Sequence, residues 1–177
     1  LNKFPGSQNA WATLNDGMTR FTVLGDFFLP QEAKLTEAAV NRLPDGSWLA
    51  ISRQENRDRN YMFASSPDGR RWMPHEYRPH VVNGTNSKPI FERFGGLYYL
   101  GWNEATRVGG AFRSVFNLDV SRDGAHWERK YRFETARSFQ YPTLREHAGK
   151  IYLTVTQGDG SDSRKERIMF GELEQID

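Results

Sequence analysis

The sequence predicts an all-β fold built from β-propeller blades of four short antiparallel strands. Three observations carry this. Aromatic residues make up 14% of the chain and glycines number 16, which suits half-buried strands joined by tight turns. Apolar runs are short, and only residues 31–37 read as a plausible helical turn. The hairpin pattern repeats, with turn glycines at 46, 96 and 149 separated by 50 and 53 residues, and Ser66 and Ser121 separated by 55. Such a period, with four short strands per unit, describes blades around an axis rather than a helical solenoid.

Residues 1–35 begin with a loop-like segment, Leu1 to Asn9. The runs Trp11–Leu14 and Phe21–Leu24 then flank Asn15-Asp16-Gly17, and Phe27-Phe28-Leu29 ends at Pro30. These read as outer strands of an incomplete blade. The first full unit, 36–80, has strands near 38–43 and 48–53 around Pro44-Asp45-Gly46, then Tyr61–Ala64 and Trp72 onward. The second, 86–135, has Lys88–Phe91, Leu97–Leu100, Val115–Leu118 and a last strand from Trp127. The third, 138–177, has Tyr141–Leu144, Ile151–Val155 and Ile168–Phe170. About four blades are the fewest that close a ring, and an open arc exposes strand edges. The remaining blades are therefore expected from another segment or another chain.

Composition excludes several classes. The chain has 177 residues, room for one domain with a core, and a net charge of only +2 from 24 basic and 22 acidic residues. That balance argues against a nucleic-acid partner, which asks for a clustered basic face. Without cysteine there is no disulfide and no thiolate metal site. No apolar run is long enough for a transmembrane helix, and no intact signal peptide opens the chain, so no membrane partner is expected. His75, His80, His126 and His147 lack ligand spacing, so neither a metal nor another cofactor is expected.

Two segments share one spacing: Ser66-Pro67-Asp68-Gly69-Arg70-Arg71-Trp72 and Ser121-Arg122-Asp123-Gly124-Ala125-His126-Trp127. An Asp before a Gly bonds nearby amides, the Gly supplies a positive φ, and the Trp folds over the turn. Ser66, Asp68, Gly69, Trp72, Ser121, Asp123, Gly124 and Trp127 are thus read as structural staples.

On these motifs the chain, from about residue 36 to 174, resembles the Asp-box (bacterial neuraminidase repeat) family, and the sialidases in particular. The resemblance implies a six-bladed propeller of which about three blades are present, with the Asp-box turns joining third and fourth strands away from the substrate mouth.

Strand alternation defines that mouth independently. The start of strand one, the end of strand two and the start of strand three share one end of a blade, which places Glu37, Arg53, Arg113 and Tyr141 together with Asn103, Glu104 and Gln157. Two guanidiniums from different blades make a fork for a carboxylate. A Tyr beside a Glu can act as nucleophile, with the Glu taking the phenolic proton. In sialidases the order along the chain is partner Glu, two anchoring Arg, then nucleophilic Tyr. Glu37, Arg53, Arg113 and Tyr141 follow that order, 16, 60 and 28 residues apart. By resemblance, Tyr141 is the nucleophile, Glu37 its base, and Arg53 with Arg113 the carboxylate anchors, while Asn103, Glu104 and Gln157 line the substrate. Arg107 and Arg137 compete with Arg113.

The family's first anchoring Arg and its acid/base Asp lie in N-terminal blades with no counterpart here, and Asp16 and Asp26 stand in turn contexts. Tyr141-Pro142 replaces the usual Tyr-Ser, and a following proline favours extended backbone at Tyr141. Gly109-Gly110 reads as a flexible rim, Arg57-Asp58-Arg59 as a solvated turn, and Asn83-Gly84-Thr85 matches a glycosylation sequon.

The expected function is the C-terminal half of a sialidase-like exo-glycoside hydrolase, releasing a terminal acidic sugar such as sialic acid with retention. A non-catalytic carbohydrate-binding propeller, or a related hydrolase of a different polysaccharide, are the alternatives. A glycan bearing a carboxylate is the expected partner, and a secreted or periplasmic location follows from that substrate alone.

Overall fold

The computed structural model describes residues 10–26, 30–55, 60–158 and 165–174. Leu1–Asn9, Phe27–Leu29 and Arg57–Arg59, each read above, lie outside them. Twelve strands follow the predicted hairpins among the described residues. Strands β1 (Ala10–Leu14) and β2 (Phe21–Asp26) form a two-stranded sheet. The helical reading of 31–37 shrinks to a 3₁₀ turn at Gln31–Ala33, because Leu35 already belongs to a strand.

Three antiparallel sheets succeed one another along the chain as propeller blades. The first contains β3 (Leu35–Arg42), β4 (Trp48–Gln54) and β5 (Met62–Ser66). The second contains β6 (Ile90–Phe94), β7 (Leu97–Asn103), β8 (Val115–Ser121) and β9 (Glu128–Glu134). The third contains β10 (Gln140–His147), β11 (Lys150–Gln157) and β12 (Arg167–Leu173). Among the described residues, only the middle blade has the full four strands. In the first, the strand expected from Trp72 onward is reduced to a single bridge between Phe63 and Glu76. Pro74 sits within that stretch and has no N–H to give to a ladder.

Alternation along β7 explains how the middle blade is packed on both faces. Tyr98, Leu100 and Trp102 point one way and join Leu49, Ile51, Tyr61 and Phe63 of the first blade. Tyr99 points the other way and, with Ile90, Phe116 and Leu118, meets Leu144 and Leu173 of the third. Burying each such side chain contributes about 1.5–3 kcal/mol. Gly101 is required here, since a Cβ would lie 2.8 Å from the ring of Phe116. Buried Trp102 donates its indole N–H to Asp119 at 2.7 Å, and Asp119 is also bonded by Arg129.

The two Ser-x-Asp-Gly-x-x-Trp segments fold alike. Ser66 Oγ accepts from the Gly69 amide at 2.9 Å, and Ser121 Oγ accepts from the Gly124 amide at 2.8 Å. Asp68 Oδ1 takes the amides of Arg70 and Arg71, and Asp123 Oδ1 those of Ala125 and His126. Both glycines have positive φ, 73° and 77°. Amide donation to a carboxylate favours its charged form, so both aspartates titrate below their ordinary value.

Candidate functional site: a strained, hydrogen-bonded rim

Six non-glycine residues among those described have positive φ, and three of them are Glu37 (42°), Arg113 (55°) and Tyr141 (47°). This region costs an L-residue roughly 1–2 kcal/mol. Glu37 and Tyr141 owe it to β-bulges. Thr36 pairs with Arg53 and Ala39 with Ile51, so Glu37 and Ala38 together oppose Ser52. Gln140 pairs with Thr156 and Thr143 with Thr154, so Tyr141 and Pro142 together oppose Val155. The extended backbone expected at Tyr141 from its following proline is thus overridden by the bulge. Bulges of this kind re-aim a side chain out of the strand.

A hydrogen-bonded path crosses the three blades at this end. Arg53 Nη1 donates to Glu37 Oε2 at 2.5 Å, and Arg53 Nη2 lies 3.4 Å from Glu55 Oε2. The Glu55 carbonyl accepts from Asn86 Nδ2 at 2.7 Å, and the Asn86 carbonyl accepts from Arg113 Nε at 2.9 Å. The Arg113 carbonyl in turn accepts the Phe139 amide at 2.7 Å, two residues before Tyr141. Glu37, Arg53 and Arg113 are thereby linked along one rim, and the link ends two residues before Tyr141.

Beneath it lies Asn103, fully buried. Its amide nitrogen reaches the carbonyls of Arg113 (3.4 Å), Val115 (3.4 Å) and Phe139 (3.2 Å). Its side-chain oxygen accepts from Ser87 Oγ at 2.7 Å, and its backbone N–H donates to Tyr61 Oη at 3.1 Å. Tyr61 and Ser87 complete the set at 2.6 Å. Burial raises the Tyr61 phenol above its usual range, against the pull of Ser87 and, more weakly, of Arg113 and Arg53.

The remaining predicted residues have other partners. Glu104 is turned to the outer strands, accepting from Asn117, Arg132 and Thr106. Burial pushes its carboxyl up, but those three donors outweigh it and hold it below the ordinary value. The Gln157 side chain accepts from Arg167, its cross-strand neighbour on β12. Tyr141 is 45% exposed, with the Lys165 ammonium 4.4 Å from its ring centroid. No hydrogen bond joins Tyr141 to Glu37 among the described residues; Arg53 holds the Glu37 carboxylate instead. Arg137 lies 4.0 Å from Glu166.

Sequence reasoning missed Glu55, Tyr61, Asn86 and Ser87. Only Glu55 left a trace, standing two positions beyond Arg53 at the end of the second strand. The expected flexibility of Gly109-Gly110 also gives way to a tight turn. Val108 and Ala111 bridge across it, the glycines have φ of 58° and 80°, and a Cβ on Gly109 would lie 3.1 Å from Ala136. Two surface grooves lie at the opposite, turn end of the blades, one around Asp123 and Trp127 and one between Phe94 and Lys150. Among the described residues, no group of three or more His, Asp or Glu is placed to hold a metal ion.

No protein-family model matches the sequence, and no curated protein matches it either. Solved structures do resemble the fold. A GH93 α-L-arabinofuranosidase of Fusarium graminearum in complex with arabinobiose superimposes with a TM-score of 0.57 at 14% identity, over 80% of this chain and 45% of that one. An α-L-arabinanase of Penicillium chrysogenum complexed with arabinobiose gives 0.54 at 15% identity, over 86% and 49%. A GH32 β-fructofuranosidase of Bombyx mori gives 0.55 at 16% identity, over 86% and 36%. None of these three is a sialidase. The chain spans less than half the length of each, and its fold is that of the blades of propeller glycoside hydrolases.

Proposed function

We propose that this chain forms part of the substrate mouth of a propeller glycoside hydrolase that releases a terminal acidic sugar, such as sialic acid, with retention. The observation that supports the reading is the path from Glu37 through Arg53, Glu55, Asn86 and Arg113 to the backbone two residues before Tyr141, which links an acid and two cations and leads towards a phenol. In this reading Arg53 and Arg113 receive the sugar carboxylate. The Tyr141 oxygen attacks the anomeric carbon as the bond to the leaving group breaks, and its proton passes to Glu37. The leaving oxygen takes a proton from an acid on a further blade. Water then opens the tyrosyl glycoside, and Glu37 returns the proton to Tyr141. A phenol suits this task because it brings no full negative charge towards an anionic sugar. The Ser-x-Asp-Gly-x-x-Trp turns, in the same reading, are Asp boxes. Action on extracellular glycans fits a secreted or periplasmic protein.

A second reading has one observation in its favour. Arg53 already faces two carboxylates, Glu37 and Glu55, so its charge is matched before any ligand arrives. A neutral furanoside, the class in the names of two of the neighbours above, then takes the place of the acidic sugar. One assay separates the readings: fluorogenic sialoside and fluorogenic arabinofuranoside are offered to wild type, Tyr141→Phe and Arg53→Gln. Sialoside turnover that falls by at least about 100-fold in Tyr141→Phe supports the first. Arabinoside turnover indifferent to that change supports the second. Binding of the sialoside without turnover points to a carbohydrate-binding propeller.

A further inference from the structure

Loop 104–113 at the rim is a built object. Ala105 donates its amide to Asn83 O at 2.8 Å, Val108 donates to Ser114 Oγ at 2.8 Å, and Ser114 Oγ donates to Thr106 O at 3.2 Å. With its glycine turn wedged against Ala136, this hairpin presents a fixed face. On that face two guanidiniums share one aromatic ring. Arg107 lies 5.0 Å and Arg113 5.3 Å from the centroid of Phe112, which is only 7% exposed.

Two like charges so placed, at most about 10 Å apart, repel each other. Their common ring attracts each by its quadrupole, worth about 0.5–1 kcal/mol at an exposed site. Arg113 is tethered to Asn86, within the path described above. Arg107 stands outside that path: it is exposed and has no ion pair among the described residues, whereas Arg132 and Arg137 nearby each face a glutamate. A cation held on a rigid, nearly buried ring, beside a second cation and with no carboxylate paired to it among the described residues, is arranged for an anion from outside; Glu104, the carboxylate of the same loop, is taken by Arg132.

We propose that Arg107, seated on Phe112, is a second anion subsite that takes the carboxylate or sulfate ester of the sugar next to the terminal acidic one. The substrate class is then a glycan chain with acidic groups on adjacent sugars. This rests on the acidic-sugar reading above and narrows it.

Calorimetric titration of the complete propeller, this chain together with the blades that close it, tests it with four probes: methyl sialoside, sialyllactose, an α2,8-linked sialic acid dimer, and sialyllactose sulfated on its galactose. The expected result is that one of the doubly anionic probes binds about five-fold more tightly than sialyllactose, in line with one exposed charge-assisted contact. Tighter binding of the dimer names the carboxylate as the second group, and tighter binding of the sulfated probe names the sulfate. Arg107→Gln then removes that advantage while leaving sialyllactose affinity unchanged, and Arg107→Lys keeps part of it. A wild type that binds all four probes equally overturns the subsite, as does an Arg107→Gln protein that retains the advantage. A wild type that binds none of them overturns the acidic-sugar reading itself, and the subsite with it.

Discussion

Glu37 and Tyr141 occupy the same strand position in two different blades. Each is the first bulged residue of a blade's first strand, each has left-handed backbone, and each is followed by one more residue before pairing resumes. Glycine normally takes such a position because it has no Cβ to strain. A charged group and a phenol sit there instead, and strain of this kind collects at functional sites.

The bulge gives the first prediction. Glycine and alanine at position 141 give up the same ring contacts, but only glycine relieves the left-handed strain at φ 47°. Tyr141→Gly is therefore expected to match or exceed Tyr141→Ala in stability, by up to about 1 kcal/mol in urea denaturation, while on the proposed function both lose carbohydrate turnover. A Tyr141→Gly protein clearly less stable than Tyr141→Ala would show that the backbone there is unstrained.

Asn103 is the second test. Asn103→Leu keeps the branched shape but leaves the carbonyls of Arg113 and Phe139 and the hydroxyl of Ser87 without their buried partner. A loss of about 2–4 kcal/mol is expected by chemical denaturation. A neutral substitution would mean that water takes over the site.

Glycine position decides a third. Gly124 and Gly149 both have φ of 77°, but a Cβ on Gly124 would lie 2.4 Å from Leu43 of the neighbouring blade, while Gly149 has open space. Both alanine variants carry the left-handed cost. Gly124→Ala must also displace Leu43, so it is expected to be the worse by about 1–3 kcal/mol. Equal midpoints in a denaturant titration of the two variants would count against a tight blade contact there.

Acid sensitivity supplies the fourth. His80 is stacked on Trp127 at 5.5 Å and beside Phe63 at 5.1 Å, and desolvation, aided by Arg78, lowers its pKa to about 4. The folded chain therefore holds fewer protons on this ring than the unfolded chain, whose histidine titrates near its ordinary 6.5. Stability from this group is lost as pH falls from about 6.5 towards 4 and returns above it. His80→Phe removes that term. Its melting temperature relative to wild type should rise as buffers are taken from pH 7 to pH 4.5. A difference independent of pH would place a charged His80 in the fold.

Much of the rim was legible because strand direction alternates strictly, so Glu37, Arg53, Arg113 and Tyr141 could be assigned to one end from hairpin order. The bulges were not legible, since a left-handed residue announces itself in sequence only when it is glycine. The buried set was hidden for another reason. Tyr61 meets Ser87 across 26 residues and Asn103 across 42, distances at which no local pattern survives. Pro74 was visible, yet its effect on the first blade's outer strand went unread. The sialidase resemblance rested on turn motifs at the opposite end from the rim. Such motifs report how blades are stapled and leave the choice of sugar open.

The path across the blades runs through carbonyls and amides at Glu55, Asn86, Arg113 and Phe139 as much as through side chains. Peptide groups survive any substitution other than proline. Variation that keeps Asn86 and Arg113 can therefore exchange the groups carried at 37 and 141 while the frame that sets their spacing persists.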